Sequence, residues 1–254
     1  MEEAPPIQVG SAAWWLARAR NTGDRARRKR MLSLDLIADA ALVVLDAEGA
    51  EALTMRRVAQ HLQCSQAALY RHVSSRDELV VVAMDRALGM GLQPPPADLT
   101  WRQSLEWQAR SFREFLFAHP GLVPFLRGTQ RLSPMALAGI EFSIHQYMSI
   151  GLNVRDAHTT ASVFATFTIG SALLGLGLDN TDPREQSMRR RLYESLDPHQ
   201  HPLLTAHADV ISRVSNRDEF EFGLAALLDG LEARIASGSA AQRPAAPPEA
   251  AAES

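Results

Sequence analysis

Between Thr54 and Val73 the chain reads TMRRVAQHLQCSQAALYRHV, and Gln66, Ala67, Tyr70 and Arg71 could share one helical face. They offer an amide, a methyl, a phenol and a guanidinium. An amide matches the paired donor and acceptor of adenine, a guanidinium matches guanine or phosphate, and a methyl packs on the methyl of thymine. That is the chemistry of reading a DNA groove.

Such a face is useful only if the helix carrying it is held with one side free. Thr54 predicts an N-cap, and Met55, Val58, Ala59 and Leu62 follow at the spacing of one buried helical stripe. Gln63 and Cys64 make a short turn, and Ser65 caps a second helix from Gln66 to about Val73. Two helices joined so tightly form a helix-turn-helix whose second member is open to the major groove. Upstream, Ser33 starts a helix with apolar Leu34, Ile37, Ala41, Val44 and Leu45, stopped at Glu48-Gly49. Downstream, Ser75-Arg76-Asp77-Glu78 predicts a capping box in which Glu78 reaches back to the Ser75 amide. The helix it opens runs to about Leu88, with Gly89, Gly91 and Pro94-Pro95-Pro96 marking a break.

The second part also reads as helices: Thr100 to His119, a short one at Gly121 to Arg127, Ser133-Pro134 to Ser149, and Val154 to Leu178. Residues 179–200, polar and holding Pro183 and Pro198, read as a loop. A short helix at Leu203 to Ile211 and a last one at Asp218 to Ile235 follow. No alternating strand pattern and no repeat interrupts this, so the expected fold is all-α. The expected layout is a flexible basic arm (1–31, with Arg25 to Arg30 reading RARRKR), a three-helix helix-turn-helix unit (32–88), a ligand-binding and dimerisation unit (97–236) and a disordered Ala/Pro-rich tail (237–254). Trp14 and Trp15 suggest no role.

The 254 residues carry a net charge of −3, too acidic for a protein that coats DNA nonspecifically. The balance is uneven, however: residues 1–90 hold 12 Lys and Arg against 11 Asp and Glu, the remainder 14 against 18. A DNA-binding surface is therefore local and N-terminal. Cys64 has no partner for an intramolecular disulfide, in keeping with a reducing compartment. The acidic start MEEAPP lacks the regions of a signal peptide, and the apolar run Val163 to Leu178 is 16 residues, short for a membrane span. A cytoplasmic protein without membrane contact is expected. His199, His201 and His207 cluster in sequence, but a proline-bounded H-x-H offers no convergent ligand set, so no metal and no cofactor is expected. No phosphate loop, nucleophile elbow or zinc-protease motif is present, which removes any positive case for an enzyme.

These residues carry a family resemblance. Leu34 to Leu88 resembles the DNA-binding domain of the tetracycline-repressor (TetR) family in the Glu48-Gly49 stop, Leu53-Thr54-Met55-Arg56-Arg57-Val58-Ala59, Leu69-Tyr70-Arg71-His72-Val73 and Asp77-Glu78-Leu79. The later helices, notably FEFGLAALLDGLEARI at 220–235, look like the family's C-terminal domain. The resemblance implies phosphate contacts from Arg56 and from Arg76, where the family often has Lys. It also implies base or methyl contacts from Gln66, Ala67 and Ala68, and backbone phosphate contacts from Tyr70 and His72. Thr54, Ser65 and Arg71 complete the candidate DNA face. Ala67 and Ala68 depart from the Pro and Thr frequent in tetracycline repressors, so their operator sequence does not transfer. Nor does any residue match carry over their drug–magnesium site.

The expected function is a homodimeric, ligand-responsive repressor on a palindromic double-stranded DNA operator, released by a small molecule. The rival is a helical scaffold with a vestigial helix-turn-helix. Trp107, Phe112, Phe142 and Phe164, with Gln146 and Thr168 as polar anchors, are candidates for an effector site between helices. Ala161 and Ala165, with Phe220, Leu224, Leu227 and Leu231, are candidates for an intersubunit four-helix bundle.

Overall fold

A computed structural model describes residues 8–21, 32–126, 132–176 and 182–241. Within them the secondary structure is helical throughout, in twelve α-helices and short 3-10 turns. The first helix, α1 (Ala12–Asn21), falls inside the stretch expected to be an arm. Ser11 caps it by accepting from the Trp14 amide, and helix-favouring Ala and Leu residues then carry the turns. Arg18 extends over the Trp14 ring and pairs with Glu78. The run Arg25 to Arg30 lies outside the described residues.

The N-terminal unit comprises α2 (Leu34–Glu48), α3 (Met55–His61), α4 (Gln66–Tyr70) and the start of α5 (Arg76–Gly91). Ser33, Thr54, Ser65 and Ser75 each cap the helix that follows, their hydroxyls accepting from a backbone amide three residues on. Gly49 stops α2 at φ 82°, a left-handed backbone that glycine adopts without a Cβ penalty. Ile37, Val44, Leu45, Val58, Leu69, Val73 and Leu79 close a common core. Val73 is fully buried while Arg71 and His72 turn the chain. The recognition helix therefore ends at Tyr70, shorter than the periodicity suggested.

The capping box at α5 takes a different form from the expected one. Ser75 does cap, but the Glu78 carboxylate reaches Ser74, accepting from its amide (2.7 Å) and its hydroxyl (2.5 Å). Desolvation pushes the Glu78 carboxyl up; the Ser74 and Arg18 contacts outweigh it and hold the group below its ordinary value. α5 runs through Gly89 and ends at Gly91, a few residues past the expected Leu88. A Cβ on Gly89 would stand 3.2 Å from the Met135 side chain, and one on Gly91 would stand 2.6 Å from the Phe115 ring. Both positions serve close packing, and Gly91 is also the last residue of the helix.

The C-terminal unit is built from α6 (Trp101–Ala118), α7 (Pro134–Ser149), α8 (Val154–Gly175) and α12 (Asn216–Ala241), with α9 (Pro183–Glu194), α10 (Pro202–Ala206) and α11 (Ala208–Ile211) as an excursion before the last. α9 occupies most of the expected polar loop: Asp182 caps it and Pro183 sits in its first turn, where a missing N–H costs nothing. α12 continues past Ile235 into the first residues assigned to the tail, and residues 242–254 lie outside the described set. None of the described helices is long and apolar enough to cross a membrane.

The two units meet through more than the continuous α5. A 3-10 turn (Pro120–Phe125) sends Leu122 into the N-terminal core. Gly121 lies so close to α2 that a Cβ would be 2.7 Å from the Leu45 carbonyl oxygen. His119 Nδ1 pairs with Asp46 Oδ2 at 2.7 Å, and Asp85 of α5 accepts from the Met135 amide at the start of α7 (2.8 Å).

Candidate nucleic-acid interface and effector chamber

On the N-terminal unit, Gln66, Ala67, Tyr70 and Arg71 all lie exposed on α4 or at its end, as the groove-reading face requires. Ala68 is half-buried, and its amide is taken by the Ser65 cap (3.1 Å). Thr54 is likewise exposed while capping α3 through the Arg57 amide (3.2 Å). Arg56 is exposed with no partner among the described residues, whereas the adjacent Arg57 is locked to Glu48 (2.5 Å). Their mutual hydrogen bond pushes the Arg57 pKa up and holds Glu48 below its ordinary value. Sequence alone does not separate these neighbours; the Glu48 partner nine residues upstream does.

Arg76 has a structural engagement that the sequence did not suggest. Its Nε and Nη2 donate to the carbonyls of Leu53 (2.8 Å) and Ala50 (3.0 Å), fastening the chain before α3 to the start of α5. A guanidinium has five N–H donors, so this clamp leaves others for a phosphate. His72 is half-buried beside the face. The turn before α4 is a Schellman arrangement, with Cys64 N to Ala59 O at 3.0 Å and Gln63 N to Gln60 O at 3.1 Å, and Gln63 takes φ 51° to make it.

In the C-terminal unit, the end of α5 and helices α6, α7 and α8 enclose two adjoining chambers. The inner one, 170 Å³, is walled by Leu88, Ile140, Ala165 and Ile169 among others; the outer one, 310 Å³, by Trp107, Gln108, Phe142 and Gln93. Leu92, Phe112, Gly139 and Ser143 border both. Of the candidate effector residues, Trp107, Phe112 and Phe142 are on the wall, and Gln146 stands behind it, accepting from Gln108 at 3.0 Å. Phe164 and Thr168 are not on it. Phe164 packs against Tyr147 in the second core, and Thr168 is buried on the same side of α8. The face that α8 turns to the inner chamber instead carries Ala161 and Ala165, two residues expected at the dimer contact. Leu88, Leu92, Gly139 and Ser143 also border the chambers without having been singled out, and a Cβ on Gly139 would stand 3.0 Å from the Leu92 side chain.

The other dimer candidates also divide. Phe220, Leu224 and Leu231 are buried within the chain's own core, at 2%, 1% and 5% exposure, with Phe220 stacked on Phe167. Leu227 faces outward and lines a shallow apolar groove with Val163, Thr166, Gly223 and Ala226. Beside it Phe222 is 80% exposed and Leu174 71%. Thus α12 is apolar on two sides, and the stripe chosen from sequence is mainly the inner one. Among the described residues no three His, Cys, Asp or Glu side chains group as metal ligands, His199, His201 and His207 included.

Comparison with known proteins agrees with this division. Residues 37–83 match the family model for bacterial regulatory proteins of the tetR family, and residues 93–235 match that for the tetracyclin repressor-like C-terminal domain. The HTH-type transcriptional repressor DrrR1 of Streptomyces coeruleorubidus is 31% identical over 231 residues, covering 85% of this chain and 84% of that protein. The class E tetracycline repressor of Escherichia coli is 29% identical over 207 residues, covering 80% and 92%. The Streptomyces coelicolor TetR family protein ActR, solved in complex with actinorhodin, superposes with a TM-score of 0.71 at 30% identity, over 81% of this chain and 98% of that one. With an exposed recognition helix, a chamber between the helices of the second unit and both family domains in order, the chain belongs to the TetR family of transcriptional regulators.

Proposed function

We propose that the protein is a homodimeric repressor that leaves a palindromic operator when a small molecule fills the chamber between α5, α6, α7 and α8. The observation that carries this reading is the wall of that chamber. Leu88, Gly91 and Leu92 belong to the C-terminal end of α5, whose other end holds Arg76 and sends Leu79 into the same core as Leu69 of the recognition helix. A ligand that displaces this end acts on the DNA-reading face through one rigid element. To move the population from 1:99 to 99:1 it must favour the released state by about 5.5 kcal/mol.

Two copies are required by the size of the reader. α4 has five residues and reaches few base pairs, so adequate specificity calls for a second half-site about one helical turn away. The outward groove on α8 and α12 is the apolar face available for that pairing. The relatives support the same reading: DrrR1 bears the name of a repressor, and ActR has been solved with actinorhodin and with (S)-DNPA. The test is gel-shift titration against the DNA upstream of the protein's own gene. Binding of a palindrome at moderate salt is expected, and folded protein that binds none there would sink the proposal.

A further inference from the structure

The outer chamber holds a directional set of hydrogen-bonding groups, whose bearing on a ligand rests on this chamber being the effector site. Gln93 donates its side-chain Nε2 to the carbonyls of Gly89 (2.8 Å) and Met90 (3.1 Å). Gln108 donates Nε2 to the Ser104 carbonyl (3.1 Å) and to Gln146 Oε1 (3.0 Å). Ser143 gives its hydroxyl proton to the Gly139 carbonyl (2.8 Å). A backbone carbonyl can be met only by a donor, so these partners fix which way each amide points. The protons of these three groups are used inside the protein and their oxygens remain, beside the indole N–H of Trp107 and the hydroxyl of Ser111 on the same wall. Gln93 Oε1, Gln108 Oε1 and Ser143 Oγ receive no hydrogen bond from the described residues.

Around these oxygens stand the rings of Trp107, Phe112 and Phe142, and the described wall carries no ionised side chain. Acceptor oxygens in an aromatic enclosure oppose an anion, since its oxygens would be desolvated against lone pairs with no counter-charge. They suit an O–H or N–H donor. Flat rings suit a flat partner, offset-stacked or edge-on.

We propose that the chamber takes an uncharged, planar aromatic molecule bearing hydroxyl groups. Its O–H donors are read by Gln93, Gln108 and Ser143, and the inner chamber, mostly apolar but with His158 and Ser162 on its wall, receives any extension. The test is calorimetric titration of the full-length protein with 2,7-dihydroxynaphthalene, 2,7-dimethoxynaphthalene and 2-naphthoate. The diol should bind roughly tenfold or more tightly than either of the others, because a site built to accept from a hydroxyl leaves its oxygens unpaired when the donor is missing. In Gln108→Met, of similar volume and with folding checked by circular dichroism, the gap should shrink to within about threefold. A dimethyl ether binding as well as the diol, the naphthoate binding best, no heat from any probe, or a gap unchanged in Gln108→Met would each overturn the proposal. The anisotropy of labelled operator DNA, read in the same titration, separates the two ideas. Diol binding with the stated preference but without operator release would leave the ligand class standing and remove the effector reading.

Discussion

The DNA-reading unit and the chamber-bearing unit use buried residues differently. In the first, the helices that flank the reading face are short and one-sided: α3 and α4 bury Val58 and Leu69 and leave Arg56, Gln66 and Tyr70 in solvent. In the second, the long helices α8 and α12 are apolar on two sides, one for the internal core and one for a shallow outer groove. A one-sided helix tells its surface from its sequence. A two-sided helix tells only which residues share a face.

The sharpest way to break this contrast is on α12. Leu224→Arg buries an unpaired charge at a position 1% exposed and should destabilise the fold by about 3–5 kcal/mol, visible as a collapsed melting transition. Ala226→Arg, two residues on and in the outer groove, should melt near the parent temperature and sediment as a monomer. Similar melting curves for the two variants would mean that the faces are not distinct.

On the reading unit the effects should fall on DNA rather than on stability. Arg56→Ala and Tyr70→Ala are each expected to weaken operator binding by about 1–3 kcal/mol with melting almost unchanged. Arg76→Ala should lower both, because its guanidinium also holds the Leu53 and Ala50 carbonyls. A melting temperature unmoved by Arg76→Ala would reduce that clamp to a surface contact.

A smaller, pH-linked effect belongs to Glu78. Its folded pKa lies below the ordinary carboxyl value, so its stabilisation is present above that value and disappears as pH falls through the folded pKa. The melting temperature of Glu78→Gln should therefore trail the parent near neutrality and converge with it in acid. A constant gap down to strongly acidic pH would contradict the assignment. Smallest of all, Gln63→Gly should stabilise by up to about 1 kcal/mol, since glycine takes the left-handed turn without a Cβ penalty. Chemical denaturation would show a raised midpoint; a lowered one would mean that the side chain contributes contacts beyond its backbone.

Caps and one-sided stripes made the N-terminal unit legible. Ser33, Thr54, Ser65 and Ser75 start their helices where their hydroxyls suggested, and the exposed set on α4 follows from the buried position of Leu69. What stayed hidden depends on partners distant in sequence. Arg76 meets carbonyls 23 and 26 residues away, and Glu78 pairs with Arg18, 60 residues upstream. Gly89 looked like part of the break that falls at Gly91 because Met135, which needs the space, lies beyond any local window. In the chamber the aromatic candidates Trp107, Phe112 and Phe142 were legible as a group, but the side of α8 facing them was not.

The turn that places Leu122 in the N-terminal core bears on how the molecule can be taken apart. A fragment ending before residue 119 would keep every residue of the helix-turn-helix and still lack a fully buried core side chain, leaving a hydrophobic hole beside Leu45. Thermal unfolding of the intact chain should then couple the N-terminal unit to the segment that follows α6, since that unit does not close its interior without Leu122. A chimera that grafts this reader onto another sensor domain needs the segment 119–125, with its own close fit at Gly121, to travel with the reader.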